Sequence, residues 1–503
     1  MRVRLELFTN EEMARADGLA ASRDIANRDL MENAGAAVAK AAVAMLEGMG
    51  HADPLTATVL VLCGRGANGG DGFAAARLLA KHGVNVRVAL LGAITALRGD
   101  AALMAADWEG PIEAARAACL QPPCDLVIDA LLGAGLNGPV RDEFAAMIEA
   151  VNVSGKPVLS IDLPSGLDGT TGAIRNGAIN AQETVTFVRL KPAHLLLSGR
   201  LACGKVTLAD IGLPESIIAE LAVSAFANDP GLWLERFPWP LVQQHKYQRG
   251  HAVVMAGPPG NGGAARLGAR AALRIGAGLV TLASPTEAVP INACHLNAIM
   301  LHAVDDAADL GAMLADRRMN AILIGPGLGV SRKAFDMTLT ALRSGAATVI
   351  DADAITSAAD AADHLFANIG HGAPRPVVIT PHEGEFGRLF PNMSGSKLER
   401  ARQAAARSGA VIVLKGPDTV IADPEGCAAI NSNAPATLAT AGSGDVLAGM
   451  ITGLLAQGMP RFEAAAAGVW LHGAAASSFG AGLIAEDLPE LLPSVLKSLQ
   501  STG

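Results

Sequence analysis

Hydrophobic residues in this chain fall into short continuous runs, with longer stretches of helical spacing between them. In the first half, the runs that predict β-strands are 57–63, 84–91, 126–130, 158–162, 184–188 and 206–209. Helical patterns separate several of these runs, near 74–81 and 141–151. Runs that are apolar on both faces and alternate with helices are typical of a parallel sheet covered on both sides.

Two helices are predicted ahead of the first strand. Thr9 and Glu12 have the spacing of a capping box, which marks the start of a helix. A second helical pattern runs through residues 30–35.

The alternation of strands and helices begins again in the second half of the chain. Its predicted strands are 251–256, 279–283, 321–324, 348–350, 377–380 and 411–414, and its predicted helices are 264–275, 334–343 and 398–407. Between the two series the pattern is irregular and includes Phe237-Pro238-Trp239-Pro240. We therefore predict two α/β domains, 1–215 and 241–503, joined by a linker at 216–240.

Composition excludes several classes of protein. Half of the 503 residues are hydrophobic but only 3% are aromatic, and the net charge of −9 leaves no basic surface for nucleic acid. No uninterrupted apolar run is long enough to cross a membrane. The first residues carry no signal-peptide pattern, and the cysteines lack CxxC spacing, which together predict reduced thiols in the cytoplasm. Ala-rich helices would permit extensive subunit packing, and we expect a homo-oligomer.

A glycine-rich segment, 64–72, follows the first predicted strand and precedes a helix. A strand, a glycine-rich turn and a helix together form a phosphate cradle at the carboxyl edge of a sheet. The alternative is a tight turn that needs glycine only for positive φ. Asn68 and Asp71 among the glycines favour the functional interpretation.

Polar residues also occur where two later strands end. Asp129 lies at the end of one strand, and Asp162 at the end of the next, with Ser165 shortly after it. Ligands of open α/β sheets bind at this edge, so these residues and Asn68 are expected to converge there. An amide, a carboxylate and a hydroxyl suit a hard cation of low charge and do not suit zinc.

The segments MENAG, GRGANGGDG, DALLGAGLNG and DLPSGLDG together resemble the NAD(P)H-hydrate epimerase domain over roughly residues 1–215. The resemblance implies a Rossmann-like three-layer α/β/α fold that interconverts the R and S forms of hydrated NADH or NADPH. It implies that Asp162 contacts the nicotinamide end and acts in catalysis, and that Asn68, Asp129 and Ser165 bind potassium. It places hydrate contacts on Ala67, Asn68, Gly69, Gly70, Asp71, Gly133, Ala134, Gly135, Leu136, Asn137, Gly138 and Pro139.

This chain departs from the epimerase pattern at one position. The family usually has Asn where this chain has Ala67. Any side-chain contact made there is lost, whereas contacts from the backbone survive.

The most informative motif of the second half is Gly442-Ser443-Gly444-Asp445, which opens directly into an apolar helix. The free backbone N–H groups and the positive end of the helix dipole form an anion site there. A carboxylate at this position repels phosphate. Its presence is explained if Asp445 takes a proton from a hydroxyl group that lies next to a phosphoryl group being transferred. The alternative is an aspartate that caps its own helix.

Other segments of this half, in order, are HKYQRGH, MAG, GGAA, IGPGLG, DADA, TPHEGE and LKGPDT. With GSGD they resemble the ribokinase-like NAD(P)H-hydrate dehydratase domain over about residues 240–495. The resemblance implies hydrate contacts from Ala264, Gly327, His382 and Asp445, with Asp445 as the catalytic base. It places nucleotide contacts on Lys415, Gly416, Pro417, Asp418, Thr419 and Gly444.

The resemblance also implies the co-substrate, because fused members of this family use ADP rather than ATP. The expected cofactors are therefore ADP, K⁺ and Mg²⁺, and the expected substrates are hydrated NADH and NADPH. Asp351 and Asp353 are either a magnesium pair or helix caps, and they stay unassigned.

Two other functions compete with this interpretation. GSGD also occurs in small-metabolite kinases, such as vitamin-precursor kinases, which here would carry an N-terminal ligand-binding domain. The epimerase-like motifs upstream argue against a kinase. The N-terminal fold is similar, too, to a domain of RNA-decapping scaffold proteins, but these would lack the site residues and carry basic surface.

Overall fold

The computed structural model describes residues 4–51, 53, 56–136, 138–370 and 375–502. They form two compact units, Glu6–Ala225 and the described residues after Ala225 together with Arg4 and Leu5. The predicted linker is therefore not a separate segment, since 216–225 belong to the first unit and 226–240 to the second. No helix of this described part is long and apolar enough to cross a membrane.

The first unit contains seven helices and seven strands among its described residues. The helices are α1 (Asn10–Ser22), α2 (Asn27–Gly48), α3 (Ala67–Lys81), α4 (Gly99–Ala106), α5 (Asp142–Ser154), α6 (Leu197–Cys203) and α7 (Glu215–Ala219). The strands are β1 (Thr58–Cys63), β2 (Asn85–Leu90), β3 (Ile112–Ala114), β4 (Leu126–Ala130), β5 (Val158–Ile161), β6 (Glu183–Phe187) and β7 (Lys205–Ala209).

These strands form one parallel sheet in the order β3-β2-β1-β4-β5-β6-β7. Alternate residues of β1 enter different cores: Val59 and Val61 pack with helix α2, and Leu60 and Leu62 with helix α5. The predicted three-layer α/β/α arrangement is therefore present. The strand order reverses between β1 and β4, which is where open α/β sheets bind ligands.

The start of α1 follows the predicted capping box. The Thr9 side chain accepts a hydrogen bond from the Glu12 backbone N–H, and the Glu12 carboxylate accepts one from the Thr9 backbone N–H. Two donors that a helix start leaves free are thereby satisfied.

The second unit contains the remaining elements of the described chain. The strands are β8 (Ala225–Ala227, which begins at the boundary), β9 (His251–Met255), β10 (Leu279–Ser284), β11 (Met300–Ala303), β12 (Ala321–Ile324), β13 (Ala347–Ile350), β14 (Val377–Ile379), β15 (Val411–Leu414), β16 (Val420–Ala422) and β17 (Ala428–Ile430). The helices are α8 (Gly262–Arg274), α9 (Val289–Ala293), α10 (Ala307–Leu314), α11 (Arg332–Arg343), α12 (Ala352–Ala358), α13 (Ala362–Ile369), α14 (Glu383–Leu389), α15 (Lys397–Ser408), α16 (Ser443–Ala456), α17 (Arg461–Phe479) and α18 (Asp487–Thr502).

The second sheet has the order β11-β10-β9-β12-β13-β14-β15-β16-β17-β8. It is parallel from β11 to β15, and the pairs β15–β16 and β16–β17 are antiparallel. Leu323 and Val349 pack with α8, α16 and α17 in the main core. Ile322 and Ile324 are fully buried on the opposite face. The order reverses between β9 and β12.

All predicted strands are present to within one residue at either end, but several strands were missed. These are β3, β8, β11, β16 and β17, none longer than four residues. β3 and β11 are partly or largely exposed edge strands, so they lack the apolar runs that marked the others. Strands this short leave little periodicity to detect.

Helix α3 begins at Ala67, whereas the sequence predicted a turn up to residue 72. The alternative interpretation, a tight turn that needs glycine for positive φ, does not hold, because none of the glycines in this segment has positive φ. They allow close packing instead. A Cβ on Gly69 would lie 2.0 Å from the carbonyl oxygen of Gly64, and one on Gly72 would lie 2.6 Å from Cβ of Ala130.

We expect Gly69→Ala to destabilise the first unit, because the added methyl group would overlap the Gly64 carbonyl. Overpacking of this kind costs about 1–3 kcal/mol. Gly18→Ala in α1 is the matched control, since nothing lies within 4 Å of a Cβ there. The control should stabilise α1 by about 0.5–1 kcal/mol. Thermal unfolding of both variants measures the difference, and similar effects would contradict the packing role of Gly69.

Candidate active sites

A cavity of about 670 Å³ opens at the carboxyl edge of the first sheet, beside β1, β4 and β5. Nine residues predicted as site residues line it: Ala67, Asn68, Asp71, Gly133, Ala134, Gly135, Leu136, Pro139 and Asp162. Gly69, Gly70 and Gly138 do not line it, and Asn137 lies outside the described residues. The start of α3 reaches the cavity with no side-chain cap on its first N–H groups, which suits an anionic ligand.

Asp162 follows β5 in a sharp turn with a positive φ of 64°. The Leu163 backbone N–H donates across this turn to the Ile161 carbonyl at 2.8 Å. Such a conformation is strained for a residue other than glycine, and strain of this kind concentrates at functional sites. It places the Asp162 side chain in the cavity wall.

The Asp162 carboxylate is fully engaged by protein groups. Lys191 Nζ forms an ion pair with Oδ1, and Thr186 Oγ1 donates to the same oxygen at 2.9 Å. The Ala134 backbone N–H donates to Oδ2 at 3.3 Å. Burial by itself would raise the pKa of Asp162, but the charge and hydrogen bond of Lys191 outweigh it and hold that pKa below its usual range. Asp162 is therefore ionised at neutral pH.

His194 links the backbones of the two residues of this ion pair by hydrogen bonds. Its Nδ1 accepts a hydrogen bond from the Lys191 backbone N–H at 2.9 Å, so the proton of the neutral ring is on Nε2. Nε2 then donates to the Asp162 carbonyl oxygen at 3.0 Å. Burial and the Lys191 charge lower the pKa of His194 to about 4, which keeps the ring neutral.

Three more acids face the same cavity, Asp17 from α1, Asp71 from α3 and Asp100 from α4. Burial, followed by the charge of Asp162, raises the pKa of Asp17 to about 6 and that of Asp71 well above its ordinary value. Sequence reasoning missed Asp17 and Lys191, and it gave Asp71 only a binding role. Asp17 stands alone on the polar side of a helix, with no motif around it.

The predicted cation ligands Asp129 and Ser165 are fully buried and do not line the cavity. The Asp129 carboxylate accepts hydrogen bonds from Ser165 Oγ at 2.5 Å, the Ser165 N–H at 2.8 Å and Ser160 Oγ at 2.9 Å. Burial outweighs these bonds and raises the pKa of Asp129. Asn68 Nδ2 is buried without a hydrogen-bond partner among the described residues.

In the second unit, the loops after β9 and β12 meet where the strand order reverses. A Cβ on Gly257 would lie 1.7 Å from the Gly327 carbonyl oxygen, so this contact requires glycine. Gly327 itself lies close to Ala264, because its Cβ position is 3.6 Å from Cβ of that residue. The two predicted hydrate contacts are thus adjacent.

GSGD begins α16, as predicted. Gly442 precedes the helix with φ of 86°, and Asp445 is the third helical residue. No side-chain capping bond forms at this helix start, so Asp445 is not a helix cap. Burial and the charge of Asp351 raise the pKa of Asp445 to about 6, against the opposing charge of Lys415. A carboxylate with this pKa suits a general base near neutral pH.

Lys415 connects the predicted nucleotide segment with GSGD. Its Nζ lies 2.8 Å from Asp351 Oδ1, 4.0 Å from Glu385 Oε2 and 3.6 Å from the position of a Cβ on Gly444. Burial would lower the pKa of Lys415, but Asp351 and Glu385 outweigh burial and raise it. Lys415 is therefore a fixed positive charge beside the start of α16.

Residues 415–419 form the hairpin loop between β15 and β16. Thr419 Oγ1 accepts from the Gly416 N–H at 3.1 Å and donates to its carbonyl at 2.8 Å. Lys397 Nζ, which the sequence did not single out, contacts Asp418 Oδ1 at 2.6 Å. This ion pair connects the loop to the first residue of α15.

His382 caps α14. Its Nδ1 accepts hydrogen bonds from the N–H groups of Gly384 and Glu385, at 2.9 and 3.2 Å. The side chain is 56% exposed, and its Nε2 lies 3.4 Å from Glu385 Oε1. Sequence reasoning weighed a site residue against a core or turn residue, and here the ring caps a helix from an exposed position.

Neither of the two remaining acids caps α12. Asp351 precedes this helix but its side chain makes no capping bond, and it accepts from Thr380 Oγ1 at 2.8 Å instead. Asp353 Oδ2 accepts from the Gly329 backbone N–H at 2.8 Å. Ala352 between them has a positive φ of 48°.

Comparisons with known proteins agree with this division into two units. The family model for NAD(P)H-hydrate dehydratase matches residues 252–497, and the model for the YjeF-related protein N-terminus matches residues 27–193. A bifunctional NAD(P)H-hydrate repair enzyme of Moorella thermoacetica is 35% identical over 98% of this chain and 97% of its own length. The enzyme of that name from Coxiella burnetii is 34% identical, over 96% and 97% of the two chains.

A solved structure is also similar to part of the chain. An ADP/ATP-dependent NAD(P)H-hydrate dehydratase from Bacillus subtilis, co-crystallised with ATP and Mg²⁺, is 30% identical. It covers 52% of this chain and 94% of its own, with a TM-score of 0.44.

The folds and sites define a fused two-domain α/β protein, with a ligand cavity in its first unit and a GSGD site in its second. The chain belongs to the family of bifunctional NAD(P)H-hydrate repair enzymes. The predicted family, and the predicted fold of an epimerase-type domain followed by a ribokinase-like dehydratase domain, are confirmed.

Lys191→Met should destabilise the first unit by about 3–5 kcal/mol, because it leaves the Asp162 carboxylate buried without its counter-charge. The double variant Lys191→Met/Asp162→Asn should be more stable than the single variant, since no unpaired charge remains. Urea unfolding of both variants and of each single variant measures the coupling. A double variant no more stable than Lys191→Met would show that the ion pair does not determine stability here.

Proposed function

We propose that this protein repairs hydrated NADH and NADPH in two steps. The first unit interconverts the R and S hydrates, and the second dehydrates the S hydrate with ADP, releasing AMP and phosphate. The observation that carries the proposal is the similarity to bifunctional repair enzymes along 98% of the chain. The charged and anion-binding groups of both units suit these chemistries.

Dehydration requires the hydroxyl group at C6 of the reduced ring to leave. Hydroxide is a poor leaving group, whereas a phosphate ester leaves readily when the ring nitrogen donates its electron pair. Asp445 would take the hydroxyl proton as phosphate is transferred, and its pKa of about 6 leaves it mostly ionised at neutral pH. The N–H groups at the start of α16 and the Lys415 charge would stabilise the phosphoryl group.

The nucleotide would lie along Lys415, Gly416, Pro417, Asp418, Thr419 and Gly444, and the hydrate beside Ala264, Gly327, His382 and Asp445. Lys415 supports this arrangement, because its Nζ is adjacent to Gly444. Mg²⁺ would arrive with the phosphates of ADP, since this ion keeps several waters and needs only one or two carboxylates. Among the described residues, no three His, Cys, Asp or Glu side chains form a ready metal site.

In the first unit, Asp162 would contact the hydrated ring. The start of α3, at Ala67, and the loop 133–139 would hold the phosphates and ribose through the backbone. Ala67 lines the cavity without a polar side chain, so this chain depends on its N–H there.

Potassium would bind between Asn68, Asp129 and Ser165. Asp129 is buried with no lysine, arginine or histidine ion pair among the described residues, so a cation there would offset its charge. The Asp129 oxygens already accept hydrogen bonds from Ser160 and Ser165, and the same oxygens would also coordinate the ion. A low-charge cation coordinated by oxygen fits such a site better than a transition metal.

The function is tested by incubating purified S hydrate of NADH with the protein and ADP. We expect absorbance at 340 nm to recover, with one phosphate and one AMP released for each NADH formed. The alternative, a small-metabolite kinase, predicts no recovery of NADH and a phosphorylated metabolite instead. No recovery with either ADP or ATP would refute the proposal.

Asp445→Asn should abolish dehydration and leave epimerisation intact, because the amide keeps the size of the side chain but cannot accept a proton. A general base contributes about 10²–10⁴ in rate. For the wild type, kcat/KM for dehydration should fall as pH falls below about 6, since the protonated carboxyl is inactive. A variant that retains more than half the dehydration rate would exclude Asp445 as the base.

Replacing potassium by tetramethylammonium at constant ionic strength should slow epimerisation. Asp129→Ala should abolish this dependence on potassium, because the ion loses its only charged ligand. Ser160→Ala is the matched control, since Ser160 hydrogen-bonds to Asp129 but is not a proposed ligand. If the wild-type rate does not depend on potassium, the cation site is wrong.

A further inference from the structure

Four carboxyl groups line the cavity of the first unit, those of Asp17, Asp71, Asp100 and Asp162. Asp100 lies in the first turn of α4, and hydrogen bonding separates the other three into two kinds. Asp162 is committed to Lys191, Thr186 and the Ala134 N–H. Asp17 and Asp71 line the same cavity, and no described residue donates a hydrogen bond to either carboxyl group. The oxygens of both carboxyl groups are therefore available to a ligand in the cavity.

We propose that Asp17 and Asp71 are the proton-transfer residues of the epimerase, and that Asp162 supplies a fixed negative charge in the same cavity. The two acids come from different helices, α1 and α3, and the charge of Asp162 acts on both. The proposal rests on the proposed function of the first unit and assigns the acid–base work within it.

Inversion at C6 can proceed through loss and return of water. A carboxylic acid protonates the C6 hydroxyl group, the C6–O bond breaks with its electrons on oxygen, and the lone pair of N1 forms a C6=N1 bond. Water then attacks the other face of C6 and gives a proton to a carboxylate. One proton is donated and one recovered, and no oxidant or reductant is needed.

This reaction needs one carboxyl group that is protonated and one that is ionised. Burial and the charge of Asp162 raise the pKa of Asp71 well above its ordinary value, which favours its protonated form toward neutral pH. The pKa of Asp17 is about 6, so this group is mostly ionised there. Asp71 would therefore act as the acid and Asp17 as the base, with their roles exchanged in the reverse direction.

Asp162 and Lys191 have a different part in this scheme. With Lys191 ion-paired to it, Asp162 stays ionised and cannot donate a proton. Its charge adds to burial in raising the pKa of Asp71 and would stabilise the cationic ring formed when water leaves. Lys191 and His194 hold its side chain and backbone in place.

The test is steady-state epimerisation of R hydrate by Asp17→Asn and Asp71→Asn in the full-length protein. Each variant should lose about 10²–10⁴ in kcat with little change in KM, because proton transfer is removed and binding is not. Asp100→Asn is the matched control: Asp100 lines the same cavity, and its loss removes the same charge. Dehydration of S hydrate by the same preparations shows that the second unit is folded, and circular dichroism with thermal unfolding of each variant shows that the first unit is folded as well.

The results separate the possible failures. A wild-type protein that does not epimerise would refute the proposed function of the first unit. If it does epimerise, either variant keeping more than a tenth of the wild-type kcat would refute the assignment, as would an equal loss in Asp100→Asn. In H₂¹⁸O, each inversion should place one ¹⁸O at C6, and inversion without label would exclude the route through water loss.

Discussion

Each unit contains a lysine paired with a buried aspartate at the carboxyl edge of its sheet, and both sites depend on this pair. Lys191 meets Asp162 after β5, and Lys415 meets Asp351 after β13. Removing such charges from water is costly and is compensated only when further hydrogen bonds complete the pair. A threonine does so in both cases, since Thr186 and Thr380 each donate to the aspartate oxygen that the lysine contacts.

The ion pair determines what neighbouring carboxyl groups can do. Beside Asp162, the pKa values of Asp17 and Asp71 are raised, first by burial and then by its charge. Beside Asp351, burial and that charge raise the pKa of Asp445 to about 6. The ion-paired aspartate stays ionised, and its charge helps to raise the pKa values of the neighbouring carboxyl groups. Carboxyl groups with raised pKa values can act as acids or bases near pH 7.

Much of both sites could be predicted because their residues follow strands. Parallel strands bring their carboxyl ends to one edge, so Asp162 after β5 and Lys415 after β15 could be placed from local pattern alone. The motifs that identified the family also lie next to predicted strands, so their order could be read directly from the sequence.

The remainder depends on packing between distant segments. Asp17 and Lys191 are far apart in sequence, and only the folded chain brings them to the cavity. The glycine-rich pattern predicted a turn at 64–72, but α3 begins at Ala67, and Gly69 and Gly72 within it pack closely against Gly64 and Ala130. Asp129 and Ser165 were predicted at the sheet edge, and the structure shows that both are fully buried and do not line the cavity.

The central claim is that two separate sites act in sequence on one hydrate. It is tested most directly by complementation between Asp162→Asn and Asp445→Asn, using mixed R and S hydrates of NADH with excess ADP. Asp162→Asn alone should rapidly recover only the S fraction as absorbance at 340 nm, and Asp445→Asn alone should recover none. Mixed together, the two proteins should rapidly recover the whole sample. A mixture that stops at the S fraction would contradict the account.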